Sequence, residues 1–482
     1  MSSFFTEGEA AGLLEAVRDA ARKKKVLLYL VGGILRDIIV GRRKRNPDID
    51  FAMASGAVAF ARSVARLLGA GFVALDEEHG TGRVVKRLGE TVYTLDFSDF
   101  KGGTIEEDLS RRDFTVNSLG ARFDQVMEGG ALEKLLIDPL DGRKDIKARL
   151  VRVAGPRALD DDPLRVMRAF STAALLGFAI EPGTLRLASR KRQLLRSVSG
   201  ERVRDELFKI FSARDSGATV ALLDRSGVLE TVFPEIVAMK RMRQGACHHL
   251  DVWGHTLETL RRLESAERLL VRVAGVREYL DAQLSSGRSR SQLLKLAALL
   301  HDIGKPKTYR RAGGKVMFYG HDREGAFICA GIAQRIRLSK EEERFLKRVV
   351  ALHLRPGFLS TVPKVTEKAL FRFFRDAQEE AGSVLILALA DLRATRGYLV
   401  VEESRGRQER LIKRLLKEFL RRRECPAPAR LVTGDDLIKA GLEPGPLFGR
   451  ILGALDELQA EKKIRSKEEG VRHALKMARK ER

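Results

Sequence analysis

Strand-like apolar runs occupy only about the first 150 of 482 residues, and helical periodicity governs everything after about residue 158. That switch fits an αβ head carrying an all-helical body rather than a repeated αβ architecture. In the head, residues 9–22 place apolar side chains at helical spacing ahead of Lys23-Lys24-Lys25. VLLYLV (26–31) reads as a short buried strand running into Gly32-Gly33. IDFAM (49–53), FVAL (72–75) and VYTLDF (92–97) read as further strands, with a helix over 56–68. In the body, Gly177, Pro182-Gly183 and Gly227 separate helices, and SSGRSRS (285–291) reads as a loop. A chain of this length is too long for one core and predicts three or four domains.

The formal charge is +24, from 89 Lys and Arg against 65 Asp and Glu. Such an excess either solubilises the surface or meets a polyanion. Solubility alone does not need so large a one-signed excess, so nucleic acid is the preferred partner. Cys247, Cys329 and Cys425 lie far apart without metal-ligand spacing and read as reduced, mostly packed thiols. The start lacks an apolar leader core, and no run reaches the roughly 18 apolar residues of a membrane span. The expectation is a soluble, cytoplasmic protein with no membrane partner.

The chemistry of the head centres on GGILRD (32–37), followed after a basic loop by Asp48-Ile49-Asp50. A strand delivering two glycines leaves backbone N–H groups open to phosphate, and Arg36 stands ready for a triphosphate. Asp48 and Asp50, two apart on a strand, project from one face. Such a pair can hold Mg²⁺ ions that activate a 3′-hydroxyl and neutralise leaving pyrophosphate. Asp96, between apolar neighbours on its own strand, is the candidate third carboxylate. The alternative is a chance Asp-Ile-Asp at a strand end beside an ordinary glycine turn. A Walker loop is excluded, because no Gly-Lys-Ser/Thr follows the glycines.

These residues resemble the bacterial tRNA nucleotidyltransferase and poly(A) polymerase family, the second class of the DNA polymerase β-like nucleotidyltransferases. EEDLSRRDFTVNSL (106–119) resembles the family's second motif, which implies that Arg112 and Asp113 read the ribose 2′-hydroxyl and Asn117 supports the nucleotide. DPLDGRKDI (138–146) resembles the third, implying a hinge shaped by Asp138, Gly142 and Asp145. DDPLRVMRAF (161–170) resembles the fourth, implying that Asp162 and Arg165, one helical turn apart on one face, read the incoming base. ERVRDELFKIF (201–211), with Glu206 and Lys209, resembles the fifth, a helix-stabilising element.

Three departures stand out. The fourth motif has Asp161-Asp162 where the family has Glu-Asp. The family's R-A-x-R-F run reads Arg168-Ala169-Phe170-Ser171-Thr172, so a basic residue is lost. Only 14 residues separate Asp96 from Arg111, where complete CCA-adding members resemble one another in a longer flexible loop. That shortness resembles enzymes adding only part of CCA.

Six of eight histidines lie between residues 248 and 353: His248, His249, His255, His301, His321 and His353. His255, His301-Asp302 and Asp391 resemble the metal-binding set of the HD phosphohydrolase superfamily, and His321 and His353 match positions that bind a second metal or substrate phosphate. Imidazole with carboxylate suits a transition metal (Ni, Mn or Co) better than Mg²⁺. The resemblance implies hydrolysis of 2′,3′-cyclic phosphates or small phosphoesters; the alternative is a degenerate HD scaffold. His248, His249 and Cys247 resemble nothing specific, and His79 and His473 read as surface residues.

Residues 405–423 carry nine Lys or Arg and two Glu around an apolar stripe of Leu411, Ile412, Leu415, Leu416, Phe419 and Leu420. Phosphate contact and a solvated face fit that helix equally well. The Gly-Asp-Asp after it (434–436) reads as a helix N-cap. The fold class is α+β: a mixed αβ nucleotidyltransferase head (1–150), a helical neck (151–238), an HD domain (239–400) and a helical RNA-binding tail (401–482). The implied reaction adds C, A or both to tRNA 3′ ends from CTP and ATP. The nearest alternatives are a CC-adding, A-adding or poly(A)-adding enzyme, or an HD phosphohydrolase whose head only binds RNA.

Overall fold

A computed structural model describes residues 9–42, 46–78, 80–245, 248–284, 287–396, 401–424 and 430–480. The chain divides into two units, one running to Arg214 and including Leu222–Val232, the other comprising Asp215–Ala221 and everything from Phe233 onward.

In the first unit, helix α1 (Glu9–Lys24) buries Ala10, Leu13, Leu14, Val17 and Ala21, spaced along one helical face. A mixed sheet follows, of strands β1 (Tyr29–Val31), β2 (Asp48–Met53), β3 (Gly71–Asp76), β4 (Thr81–Leu88), β5 (Thr91–Asp99), β6 (Gly120–Arg122) and β7 (Leu136–Ile137). Their order is β3-β4-β5-β2-β1-β6-β7, with β2 parallel to β5 and antiparallel to β1. Between β1 and β2 lies α2 (Gly33–Ile39), and after β2 comes α3 (Ala57–Leu68), whose first N–H donates to Asp99 Oδ1 at 2.8 Å. Phe51 stacks on Phe97 at 4.9 Å between ring centres, and Phe60 and Phe123 meet these rings edge-on. This aromatic core fixes β2 against β5.

Strand β4 is not among the strands expected from sequence. Its buried positions are only Gly82 and Val84, set among Thr81, Arg83, Lys86 and Arg87, so its apolar alternation is faint. VLLYLV yields a strand only over its last three residues. Helix α4 (Ile105–Ser110) follows β5 after a short turn. A parallel pair, β8 (Leu150–Val151) with β9 (Ala179–Ile180), then joins the neck helices α5 (Arg165–Leu176) and α6 (Gly200–Ser212).

The second unit is helical apart from a small hairpin, β10 (Arg310–Ala312) with β11 (Lys315–Met317); this pair and β9 correct the expectation that strands vanish after residue 158. Its core elements are α7 (Val252–Leu270), α8 (Arg290–Leu300), α9 (His321–Arg335), α10 (Lys340–Leu352) and α11 (Ala381–Ala394). Ser289 with Gln292 and Ser339 with Glu342 form capping boxes that start α8 and α10. α11 is buried at every position from Ala381 to Ala390, as the central helix of a bundle must be. The basic helix α12 (Glu402–Glu424) buries the apolar stripe read from its sequence. Thr433, not the Gly-Asp-Asp, caps the next helix, and Asp436 completes its capping box. Beyond it, α13 (Pro446–Ala460) and α14 (Lys467–Lys480) close on a small core with Val432, Leu437 and Ile464.

Candidate active site

Alternation along β2 puts Asp48 and Asp50 on one side and buried Ile49 on the other. In the sheet register Asp50 faces Val31 and Asp96, and Asp96 faces Arg83. Asp50, Asp96 and Arg83 thus form a row across three strands. The Arg83 Nε and Nη2 atoms donate to the two Asp96 oxygens at 2.8 and 2.7 Å. That bond to Asp96, with added attraction from Asp48 and Asp50, holds the Arg83 guanidinium above its ordinary pKa against the opposing effect of burial. Arg83 escaped the sequence reading because its strand did.

Gly32 adopts φ 77°, and a Cβ there would stand 3.1 Å from both Asp50 Oδ2 and Arg112 Nη1. Only glycine leaves that space. Its N–H is not open to phosphate, however: it donates to the Leu119 carbonyl at 3.0 Å. Arg36 is also placed differently from the expectation. It is 7% exposed, gives Nε and Nη2 to Asp37 at 3.0 and 2.7 Å, and donates Nη1 to Asn117. It braces the wall of the cleft.

Arg112 pairs with Asp108 at 3.1 Å, and Asp113 lies buried behind it. Asp113 accepts from Asn117 Nδ2 at 3.0 Å and from the Phe114 N–H at 2.8 Å, and forms an ion pair with Arg168 at 2.7 Å. Burial alone would raise the Asp113 pKa, but the Arg168 charge and these bonds hold it below the ordinary carboxylate range. Arg168 is a second residue not singled out from sequence. Nearby, Asp138 accepts from the Gly142 N–H at 2.6 Å, and Asp145 accepts from Thr115 Oγ1 at 2.7 Å and from Arg152.

The expected placement of Asp162 and Arg165 on one helical face is not found. Asp162 precedes Pro163 in extended conformation, outside α5, and pairs with Arg202 at 3.2 Å. Arg165, buried at the first turn of α5, donates to the carbonyls of Arg111, Arg112 and Ala158 at 3.1–3.2 Å. The proline sets the chain ahead of α5 into an extended form, which breaks the presumed single turn. Ser171, where the resembling family has a basic residue, donates to Glu206, which also accepts from Lys209 at 2.8 Å.

The acidic row, Arg36, Arg112, Asp113, Asn117, Arg165 and Glu206 line one cleft of about 660 Å³. Asp48, Asp50 and Asp96 share its lining with Arg42, Lys101, Arg111 and Arg112, and Arg168, Thr172 and Leu175 line it from the neck; Asp138, Asp145 and Asp162 are not part of the lining. Carboxylates that can hold a cation, together with cations that can hold an anion, suit a metal–triphosphate.

The second unit assembles the expected histidines. His301 ends α8, Asp302 follows it, His255 lies on α7, Asp391 on α11, His321 opens α9 and His353 ends α10. A Cβ on Gly304 would collide with the His321 carbonyl, so glycine lets α9 close onto the His301-Asp302 turn. His301, His321 and His353 each engage a backbone carbonyl through Nδ1, at 2.6–2.8 Å, and leave a buried Nε2 without a hydrogen-bond partner. The ligand atoms fall into two sets, His255, His301 and Asp391, and Asp302, His321 and His353. Asp302 Oδ2 lies 3.3 Å from His301 Nε2, while its Oδ1 lies 3.4 Å from His321 Nε2. Orphaned inward nitrogens fixed by their outer bonds are the arrangement a metal centre requires.

Burial opposes ionisation of Asp302, yet His301 and Lys305 (Nζ at 2.6 Å) hold its carboxyl well below the usual range. Burial pushes the His353 imidazole down to about 4. His248, unassigned from sequence, sits edge-on to His255 at 4.8 Å between ring centres and lines a cavity with Asp302, His321, His353 and Asp391, while His249 and His473 are exposed. Cys329 is buried, which pushes its thiol up. His79, Cys247 and Cys425 lie outside the described residues. No described helix is long and apolar enough to cross a membrane.

Three family models match the chain: the poly A polymerase head domain over residues 28–152, the probable RNA- and SrmB-binding site of polymerase A over 177–240, and the HD domain over 252–396. An A-adding tRNA nucleotidyltransferase of Deinococcus radiodurans is 34% identical over 439 residues, 89% of this chain and 91% of that protein. A CC-adding tRNA nucleotidyltransferase of Thermus thermophilus is 33% identical over 452 residues, 92% and 91% of the two chains. Among solved structures, the Thermotoga maritima CCA-adding enzyme complexed with tRNA shares the fold with a TM-score of 0.63 at 20% identity, over 98% of this chain and 96% of that one. With homology at this level along nearly its whole length, the chain belongs to the tRNA nucleotidyltransferase and poly(A) polymerase family and is a nucleotidyltransferase carrying an HD domain.

Proposed function

We propose that the chain extends the 3′ end of tRNA by part of CCA rather than the whole, adding either C from CTP or the terminal A from ATP. The observation carrying the transfer reaction is the pair Asp48 and Asp50, presented on one face beside side-chain-free Gly32 in a cleft walled by arginines. In this reading the RNA 3′-hydroxyl attacks the α-phosphate, its proton leaves, and pyrophosphate departs. Asp48 and Asp50 would hold Mg²⁺, which supplies positive charge to the α-phosphate and the leaving group. Asp96, in register with Asp50 and tied to Arg83, completes the acidic row.

Arg42, Lys101, Arg111 and Arg112 are the cations for the triphosphate, and Asp113 with Arg112 is the candidate ribose reader. Gly33, Arg36 and Asn117 shape the wall behind it. Base reading by Asp162 and Arg165 requires an exchange of partners: Asp162 must leave Arg202, and Arg165 must leave the backbone carbonyls. A partial product is favoured by the turn between β5 and α4. It spans only residues 100–104 and is pinned, the Lys101 N–H on Asp108 at 3.0 Å and the Gly103 N–H on Glu107 at 2.8 Å. The A-adding and CC-adding relatives point the same way. Supplying CTP and ATP singly and together to tRNA lacking CCA, and to tRNA ending in CC, tests the reading.

A second activity is favoured by the orphaned Nε2 atoms of the HD centre. His255, His301, Asp302 and Asp391 would hold a transition metal (Ni, Mn or Co), which supplies a water of lowered pKa for phosphoester hydrolysis. Lys305 fixes Asp302, and the backbone carbonyls fix His301, His321 and His353.

A further inference from the structure

Of the nine cations on helix α12, Arg423 approaches Glu379 at 3.9 Å and the other eight fall into two groups. Arg405, Lys413, Arg421 and Arg422 each reach a carboxylate on their own helix: Glu402, Glu409 and, for the last two, Glu418, at 2.7–3.1 Å. Arg407, Arg410, Arg414 and Lys417 form no ion pair among the described residues, and all four are exposed. Their spacing of three, four and three residues puts them in one stripe along the helix. An array of like charges on one helix face costs stability unless something neutralises it.

Three of the four line a groove of about 680 Å³ between α12 and residues 359–370, joined on the facing segment by exposed Lys364. Of the groove's two carboxylates, Glu418 is already engaged by Arg421 and Arg422, whose bonds hold its pKa down at about 2. The other is Glu367, at the start of the helix Glu367–Ala377. Groove floor and wall include Leu359, Leu411 and Leu415. Arginine stems can lie on such a surface while their guanidinium heads face outward.

We infer that this groove is a docking site for the RNA phosphate backbone, distinct from the catalytic cleft; the inference rests on the RNA substrate proposed above. A row of unpaired guanidinium groups at successive helical turns matches a string of phosphates. Arginine's fork binds each phosphate oxygen pair through two N–H groups. It carries no device for reading bases, so it contributes affinity independent of sequence.

The test uses the full chain. In one variant Arg407→Ala, Arg410→Ala and Arg414→Ala are combined; in the control, Arg405→Ala, Lys413→Ala and Arg421→Ala remove the same charge from paired positions. Binding of tRNA is measured across a salt series, with thermal unfolding of each variant to establish that the helix persists. The groove variant should bind tRNA about tenfold or more weakly and lower the slope of log affinity against log salt by about 2–3, roughly one per lost phosphate contact. The control should keep the wild-type slope. An Arg407→Lys, Arg410→Lys, Arg414→Lys variant should keep most of it. Equal behaviour of groove and control variants overturns the inference, as does retention of tRNA binding by a groove variant that instead loses binding to acidic protein or anionic vesicles. Failure of the wild-type chain to extend tRNA at all refutes the proposed reaction, a result distinct from either.

Discussion

At the scale of single residues, Asp50 has the clearest consequence. It stands in register between Val31 on β1 and Asp96 on β5, with its Oδ2 against the side-chain-free Gly32. Asp50→Ala should lower nucleotide incorporation about a thousandfold or more, through loss of several kcal/mol of transition-state stabilisation. Rapid-quench incorporation on a variant with wild-type thermal unfolding checks this. Arg165→Ala is expected to act otherwise, removing bonds to three backbone carbonyls as well as a base reader. It should blur the preference for CTP and ATP over UTP by about 1–3 kcal/mol, read as the ratio of kcat/KM values. Asp162→Ala should blur it without loss of stability, since Asp162 is partly exposed and its partner Arg202 more so. Unchanged preference in both variants would remove the pair from base reading. The Asp-Ile-Asp pair was legible because alternation on a strand is a rigid rule. The partners of Arg36, Asp162 and Arg165 were not, because they depend on which backbone atoms the fold brings near.

At the scale of elements, periodicity located the helices well where apolar stripes were strong, as in α1, α3 and α12. It missed β4, whose cations mask two buried positions, and with it the Arg83 partner of Asp96. The single-turn reading of Asp162 and Arg165 failed at a proline, a local stop that helical spacing ignores. Helix α7 carries a testable pH dependence. Burial pushes the Glu267 carboxyl up to about 7, while Ser291 donates to it at 2.9 Å. A carboxyl whose pKa is higher folded than unfolded binds more protons in the native state, so stability falls as pH rises from about 4.5 to about 7. Glu267→Gln should therefore unfold at higher temperature than wild type at pH 8 and at nearly the same temperature at pH 4. Thermal denaturation at the two values checks it; an equal shift at both would show that the carboxylate charge is not the cause.

At the scale of the whole molecule, two chemically different centres share one chain. The head presents only carboxylate oxygens, and the HD centre mixes imidazole with carboxylate. Different ligand sets imply different metals. His301→Ala combined with Asp302→Ala should abolish stoichiometric transition-metal binding and any hydrolysis of 2′,3′-cyclic phosphates, and leave CTP and ATP incorporation intact. Metal titration by calorimetry and the incorporation assay together check this, with thermal unfolding to confirm that the buried pair is not needed for folding. An αβ head on a helical body was legible because the change of period at about residue 158 is a global signal. The histidine and aspartate cluster of the HD domain was legible as a histidine excess and a motif resemblance. Its division into two sets about Asp302 was not, since it arises from five helices meeting. Nucleotide transfer to tRNA is tested by supplying radiolabelled CTP or ATP to tRNA transcripts lacking CCA and to transcripts ending in CC. Wild-type enzyme should extend one of the two transcripts with its fitting nucleotide and stop short of the other step, and Asp50→Ala should lose the activity. Extension of neither transcript by the wild type, or undiminished extension by a folded Asp50→Ala enzyme, would contradict the proposed reaction.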